Sequence, residues 1–206
     1  MSMDDIEHVI VLMLENRSFD SMLGWLYEKG EKPGLNIPAA EPDDLFRGMA
    51  SVPPSGFVNH AKVDGQAFSS GPIRGVTGVS VPQVDPGEEY EHVLLQFYGA
   101  PHPDPKDSIT MTGVLQDFVD VLEERGHDAA TIMAMSRMCL ECFTPSQLPV
   151  LNQLARHYAV SDAWYASVPS QTNPNRAFLM CGTSMGMVDN GDLEDLATHR
   201  AFTDGL

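Results

Sequence analysis

The stretch IEHVIVLMLENRSFD, Ile6 to Asp20, decides the reading of this 206-residue chain. Val9, Ile10, Val11, Leu12, Met13 and Leu14 form an unbroken apolar block with β-branched residues, the pattern of a strand buried on both faces of a parallel sheet. The block ends abruptly on Glu15 and Asn16. Open α/β sheets bind ligands in the crevice beyond the carboxyl ends of their strands, so these two side chains stand where a metal or substrate would be held. Glu15 has an alternative use as the cap of a following helix, whose apolar positions include Met22, Leu23, Trp25 and Leu26.

A second signal lies far downstream, in Val168-Pro-Ser-Gln-Thr-Asn-Pro-Asn-Arg176. Pro174 is pre-set for the first turn of a helix, Thr172 or Asn173 can cap it, and Gly182 suits the residue past its end. The Thr172 hydroxyl is thereby placed at a helix N-terminus. Unpaired N–H groups and the helix dipole there stabilise an alkoxide and the phosphate it attacks, although a plain cap would look the same in sequence.

Together, ENRSFD at 15–20 and TNPNR at 172–176 resemble the phosphoesterase family of phosphatidylcholine-type phospholipases C and acid phosphatases, which includes the plant non-specific phospholipases C. TPSQLPVLNQLARHYAVSDAWYASVPS at 144–170 supports the resemblance, which runs through nearly the whole chain, and Asp162 to Tyr165 matches a family stretch of D-x-W-Y form. The resemblance implies an α/β, alkaline-phosphatase-like layered fold with a mostly parallel sheet flanked by helices. It also implies a divalent metal ion held by Glu15, Asn16 and Thr172, with Thr172 as nucleophile, acting on a phosphate ester or phospholipid. Two features depart from the family pattern. Where many relatives have D-P-x-H, Asp85-Pro86-Gly87 is followed by Glu88, with His92 four residues on. The distal aspartate pair and histidines that complete the family site have no counterpart before Leu206. The expectation is therefore residues 1–206 as the N-terminal part of one catalytic domain, its layered fold incomplete. Such a chain would self-associate or depend on a chain supplying the distal half, and Glu15, Asn16 and Thr172 alone offer too few oxygens for tight metal binding.

Composition fits a globular chain with 29 acidic and 12 basic side chains, a balance that repels nucleic acid and anionic membrane. It would repel a phosphate substrate too, and a bound cation would reverse that locally. No run reaches membrane-spanning length, and Met1-Ser-Met-Asp-Asp lacks the basic start of a signal peptide, so the chain as written reads as cytoplasmic, with export the alternative if a leader precedes it.

Cys139-Leu-Glu-Cys142 has redox spacing without the flanking context of a thioredoxin or zinc site, and packing accounts for it; Cys181 falls on the apolar face of the helix after Thr172, as a core residue. From about Lys29 to Gly87 the chain is rich in Pro and Gly, excludes long helices and is the candidate substrate-selecting insertion, with His60 a possible lining residue. Beyond it, Glu88 to Tyr98 and Thr112 to Arg125 read as helices, the latter with a stripe of Val114, Leu115, Phe118, Val121 and Leu122 ended by Gly126. Thr144-Pro145-Ser146-Gln147 has the form of a capping box leading into Leu148, Leu151, Leu154 and Tyr158, and Tyr158 to Val160 reads as a short buried strand. Two functions survive: a metal-dependent phosphoric ester hydrolase of which this is the N-terminal half, or a non-catalytic α/β binding module that keeps the fold.

Overall fold

The structure is a computed structural model that describes residues 7–8, 10, 17–31, 48–51, 57–77, 84–158, 160–162 and 164–191. It is an α/β arrangement of helices and small sheets, built around one helix. That helix, α3 (Val114–Glu124), follows α1 (Phe19–Leu23), the strands β1 (Asn59–Val63), β2 (Gln66–Ser70) and β3 (Ile73–Arg74), and the helix α2 (Tyr90–Tyr98). After it come α4 (Ala129–Met135), a 3-10 turn Ser136–Leu140, β4 (Glu141–Cys142), α5 (Pro149–His157) and α6 (Thr172–Cys181).

The apolar stripe foreseen in the sequence is the core. Leu115, Phe118, Val119 and Leu122 of α3 are fully buried, and Ala61 and Val63 of β1, Val84, Ile132 and Leu140 close around them. At about 25 cal/mol per Å² of apolar surface, each such side chain contributes about 1.5–3 kcal/mol, which makes this cluster the larger of the two cores among the described residues. Gly126 ends α3 with a positive φ of 78°, as its position in the sequence predicts. Gly113 sits where α3 crosses α2 so closely that a Cβ there would lie 1.8 Å from the Leu95 carbonyl oxygen. Glycine alone permits that crossing.

β1 and β2 form an antiparallel hairpin with His60 opposite Ser69 and Ala61 opposite Phe68. Asp64 and Gly65 turn it with positive φ at both positions, the geometry that matches the twist of paired strands. The Pro/Gly-rich stretch 29–87 thus contains an ordered element that delivers Ala61 and Val63 to the core. Asn59, at the start of β1, is 2% exposed; its Oδ1 accepts the Leu115 N–H (3.2 Å) and its Nδ2 donates to the Met111 carbonyl (3.3 Å). It does for α3 what a cap residue does, from another element.

A smaller core forms where Leu26 and Tyr27 meet Ala155 of α5, with Phe19, Leu23 and Val160 against them. Two arginines pin the segment after α1. Arg74 lies 5.2 Å over the Trp25 ring and pairs with Glu28, while Arg156 lies 4.8 Å over the Tyr27 ring and pairs with Glu31 at 2.6 Å. β3 and β4 pair in parallel, Ile73 opposite Glu141 and Arg74 opposite Cys142, and the Phe143 N–H donates to the Ser21 carbonyl beside them.

Several expectations change. Of the block Val9 to Leu14 only Ile10 lies among the described residues, and it is 93% exposed and outside any strand. The rest of the expected strand lies outside the described residues. The helix after Ser18 stops at Leu23 because Gly24 and Trp25 turn away from it, so Trp25 and Leu26 pack from a turn. Tyr158 and Val160 are not in a strand; Tyr158 is 71% exposed just past the end of α5. Its alternation with Val160 was too short to separate strand from coil. Finally, α5 begins at Pro149, not Pro145. The pyrrolidine ring of Pro149 pushes Leu148 out of the helical region (φ −124°, ψ 61°), so the turn at 144–147 cannot run on into the helix.

Candidate active site

Thr172 is the first residue of α6, and Gly182 ends that helix with φ 74°. Neither Thr172 nor Asn173 is its cap, contrary to the sequence expectation. Gln171, extended at φ −68° and ψ −176°, holds the cap position, and the side chain that accepts the Asn173 N–H (2.8 Å) is Asn190, brought back from beyond the helix. Asn190 also donates its own N–H to Gln171 Oε1 (2.8 Å). The work of capping is thereby done from outside, and among the described residues none hydrogen-bonds the Thr172 hydroxyl.

The turn leading into α6 is tightly held. Asn175 Nδ2 donates to the carbonyls of Val168 (3.0 Å), Ser170 (3.1 Å) and Gln171 (2.9 Å), and its Oδ1 accepts the Val168 N–H (3.0 Å). Pro174 is fully buried. Asp189 Oδ1 accepts both the Ser170 hydroxyl (2.8 Å) and the Tyr90 N–H (2.9 Å), so the first turn of α2 is fastened to the residues just before Thr172.

Glu15 and Asn16, expected to converge on Thr172, lie outside the described residues. The end of their motif is described. Ser18 Oγ accepts the Ser21 N–H (3.2 Å) and caps α1, which takes that duty from Glu15. Asp20 keeps an exposed surface, yet the chain enclosing its carboxyl raises it above the ordinary range, and the nearby charge of Asp162 raises it further. The structure therefore places Asp20, the last residue of ENRSFD, within electrostatic reach of Asp162, the first of D-x-W-Y.

The histidines divide. His60 is exposed on the hairpin with Nδ1 2.8 Å from Ser69 Oγ, its cross-strand partner, which makes it a strand-surface residue. His92 is built in. Its Nδ1 lies 2.6 Å from Oδ1 of Asp117, a fully buried carboxylate on α3 whose Oδ2 accepts from Gln96 Nε2 (2.6 Å). A Cβ at Gly87 would lie 2.2 Å from His92 Nδ1, so the glycine of Asp85-Pro86-Gly87 makes room for the ring. Burial pulls His92 down, but the hydrogen bond and charge of Asp117, with Glu89 and Glu124 behind them, raise it overall. Glu88 donates its N–H to Glu89 Oε2 (3.2 Å) at the same helix entry.

Cys139 and Cys142 are packing thiols, as the sequence suggests. Burial, with Asp117 near one and Asp20 near the other, pushes each up to about 12. Cys181 is exposed, not core, because the buried side of α6 is set by Pro174 near its start and its last turn, with Leu179 and Met180, faces outward. Sequence reasoning missed Asn59, Asn190, Asp117 and Asp189. Only the Asp64-Gly65 turn, which would have exposed the hairpin and hence Asn59, left a readable local signal.

Among the described residues no group of three or more His, Cys, Asp or Glu side chains is placed to hold a metal ion, and no helix is long and apolar enough to cross a membrane. A shallow apolar depression on α5, lined by Val150, Leu154, His157 and Tyr158, includes neither Thr172 nor Asp20 and is remote from the chemistry in its lining.

The chain is 29% identical over 196 residues to non-specific phospholipase C3 of Arabidopsis thaliana, covering 92% of this chain and 32% of that protein. It is 33% identical to non-specific phospholipase C5 of the same plant, covering 90% and 31%, and 26% identical to the non-hemolytic phospholipase C of Burkholderia pseudomallei, covering 86% and 20%. It thus spans a third or less of the length of these curated relatives. The model of the Phosphoesterase family matches residues 6–203, and the chain, with its ENRSFD and TNPNR motifs at either end of that match, belongs to the Phosphoesterase family.

Proposed function

We propose that this chain carries the nucleophile of a phosphoric ester hydrolase of phospholipase C or phosphatase type, within a layered, alkaline-phosphatase-like α/β domain. The observation that supports this most is the position of Thr172. It opens a helix whose cap is supplied by Asn190, and among the described residues none engages its hydroxyl.

In this reading Thr172 Oγ attacks phosphorus in line, the bond from phosphorus to the leaving alcohol oxygen breaks, and a phosphothreonine forms while the alcohol takes up a proton. Water then attacks the phosphothreonine, releasing phosphate or a phosphorylated head group and restoring the hydroxyl. The N–H groups and dipole at the start of α6 favour the anionic charge that develops there. Glu15 and Asn16, with Thr172, would hold a divalent cation; a carboxylate, a carboxamide and an alkoxide are a hard oxygen set of the kind that Mg²⁺, Ca²⁺ or Mn²⁺ accepts. Bound there, the cation would lower the pKa of the Thr172 hydroxyl and offset the repulsion between phosphate and a chain of net charge −17. Further ligands would come from outside the described residues or from a second chain. The names of the relatives favour a phospholipid diester as substrate.

The test is Thr172→Val in the intact gene product, assayed with a phosphodiester and a phosphomonoester in the presence of divalent ions. Since Thr172 is not the cap, the variant should fold with a thermal midpoint close to that of the parent, and turnover should vanish. Retained turnover in Thr172→Val together with its loss in Ser170→Ala would move the nucleophile two residues upstream.

A further inference from the structure

Thr172 is bracketed. The residue before it, Gln171, accepts the Asn190 N–H, and the residue after it, Asn173, donates to the Asn190 side chain. One residue further back, Ser170 gives its hydroxyl to Asp189, which also holds the Tyr90 N–H at the start of α2. The chain reaches these positions by a return loop after α6. Gly182, Met185 and Gly186 turn with positive φ, and Ser184 and Met187 are buried, so the loop is packed rather than loose where it runs back to the helix entry.

We infer that Asp189 and Asn190 are positioning residues for the Thr172 nucleophile: their hydrogen bonds fix the backbone on both sides of it and lock that backbone to α2. This rests on the reading of Thr172 as nucleophile. With residues 170, 171 and 173 held, the only freedom left to the hydroxyl is rotation about its own χ1, which has three staggered wells. An in-line attack tolerates little misplacement, and an error of 1 Å costs about a hundredfold in rate. Neither Asp189 nor Asn190 exchanges a proton or an electron pair with substrate in this scheme. Asp189 Oδ1 is occupied by two donors and Asn190 Oδ1 by the Asn173 N–H.

The test uses the intact gene product and four variants, Asn190→Ala, Asn190→Asp, Asp189→Ala and Asp189→Asn, beside Thr172→Val. A chromogenic phosphodiester reads kcat and KM, and amide hydrogen exchange over 171–175 reads the backbone independently of turnover. The alanine variants should lose about 10- to 100-fold in kcat with KM within about twofold, and exchange should speed up at Thr172 and Asn173. Asn190→Asp and Asp189→Asn keep the accepting oxygen and should recover most of kcat and the slow exchange. Full kcat in Asn190→Ala beside a dead Thr172→Val would overturn the positioning role and leave the nucleophile standing. Undiminished turnover in Thr172→Val would instead overturn the nucleophile. Unchanged exchange in Asn190→Ala overturns the inference even if no turnover is measured, and lost kcat with unchanged exchange would place Asn190 among the reacting groups.

Discussion

The carboxyl groups of Asp20 and Asp162 lie near enough that, beyond the larger effect of enclosure, the charge of Asp162 raises Asp20. This joins the end of the ENRSFD stretch to the start of D-A-W-Y across most of the chain. Removing the second charge should return Asp20 part of the way to its ordinary range. We expect Asp162→Asn to lower the Asp20 pKa, read by an NMR titration of its side-chain carboxyl, while enclosure keeps it above a free aspartate. An Asp20 titration that does not move would mean that the two motifs do not communicate.

How much of this was legible depended on whether the cause was local. The core stripe of α3 declared itself through its 3.6-residue period, and Leu115, Phe118 and Leu122 are indeed among the most buried residues. Gly126 and Gly182 marked helix ends for the steric reason that only glycine takes positive φ at no cost. The helix caps were illegible. Asn59 serves α3 and Asn190 serves α6, each from another part of the chain, and no spacing rule connects an asparagine to a helix that it meets only after folding. The same holds for Asp117. An aspartate on the buried face of α3, it meets its partner His92 only when α2 packs against that helix. At 144–147 the box was half right: Gln147 Oε1 does accept the Thr144 N–H at 3.0 Å, but Pro149 moved the helix start beyond it. The helix that Thr172 opens was legible from Pro174 and Gly182, whereas Glu15 and Asn16 fall outside the described residues.

His92 gives a pH dependence whose sign can be worked out. Its folded pKa is raised by Asp117, Glu89 and Glu124 against the opposing pull of burial, so the folded state holds the proton more tightly than the unfolded chain. The stabilisation is therefore fully present below the unfolded value of about 6.5 and is lost as pH rises through the folded one. Urea midpoints of the parent and His92→Gln should differ most near pH 5.5 to 6 and draw together toward alkaline pH. A gap that widens with rising pH would show that Asp117 and a neutral ring, not the ion pair, hold α2 to α3.

Asn59→Ala removes the acceptor of the Leu115 N–H and the donor to the Met111 carbonyl at a site 2% exposed. Leaving buried backbone groups unpaired costs about 1–3 kcal/mol, and the lost cap falls within the same range. We expect a loss of that size in urea unfolding with an unchanged m-value. Asn59→Asp keeps the acceptor but not the donor and buries a charge, so it should be no better. A change under about 0.5 kcal/mol, the usual size for a surface substitution, would show that water reaches the start of α3.

The three cysteines should react in an order set by burial and not by spacing. Cys139 donates its Sγ–H to the Ser136 carbonyl at 3.2 Å and Cys142 is buried, and both thiols are pushed up to about 12, mainly by burial. The thiolate is the reactive form, and a thiol with that pKa is ionised at pH 8 in only about one molecule in ten thousand. Cys181 is exposed at the end of α6. Native protein treated with iodoacetamide at pH 8 and digested should carry the label at Cys181 first, with Cys139 labelled only as fast as the α3 core opens and Cys142 only as fast as β4 comes free. Mild oxidation should leave the pair as free thiols for the same reason. Rapid labelling of Cys142, or a Cys139–Cys142 disulfide under conditions that spare Cys181, would restore the redox reading of the C-L-E-C stretch and contradict the packing around it.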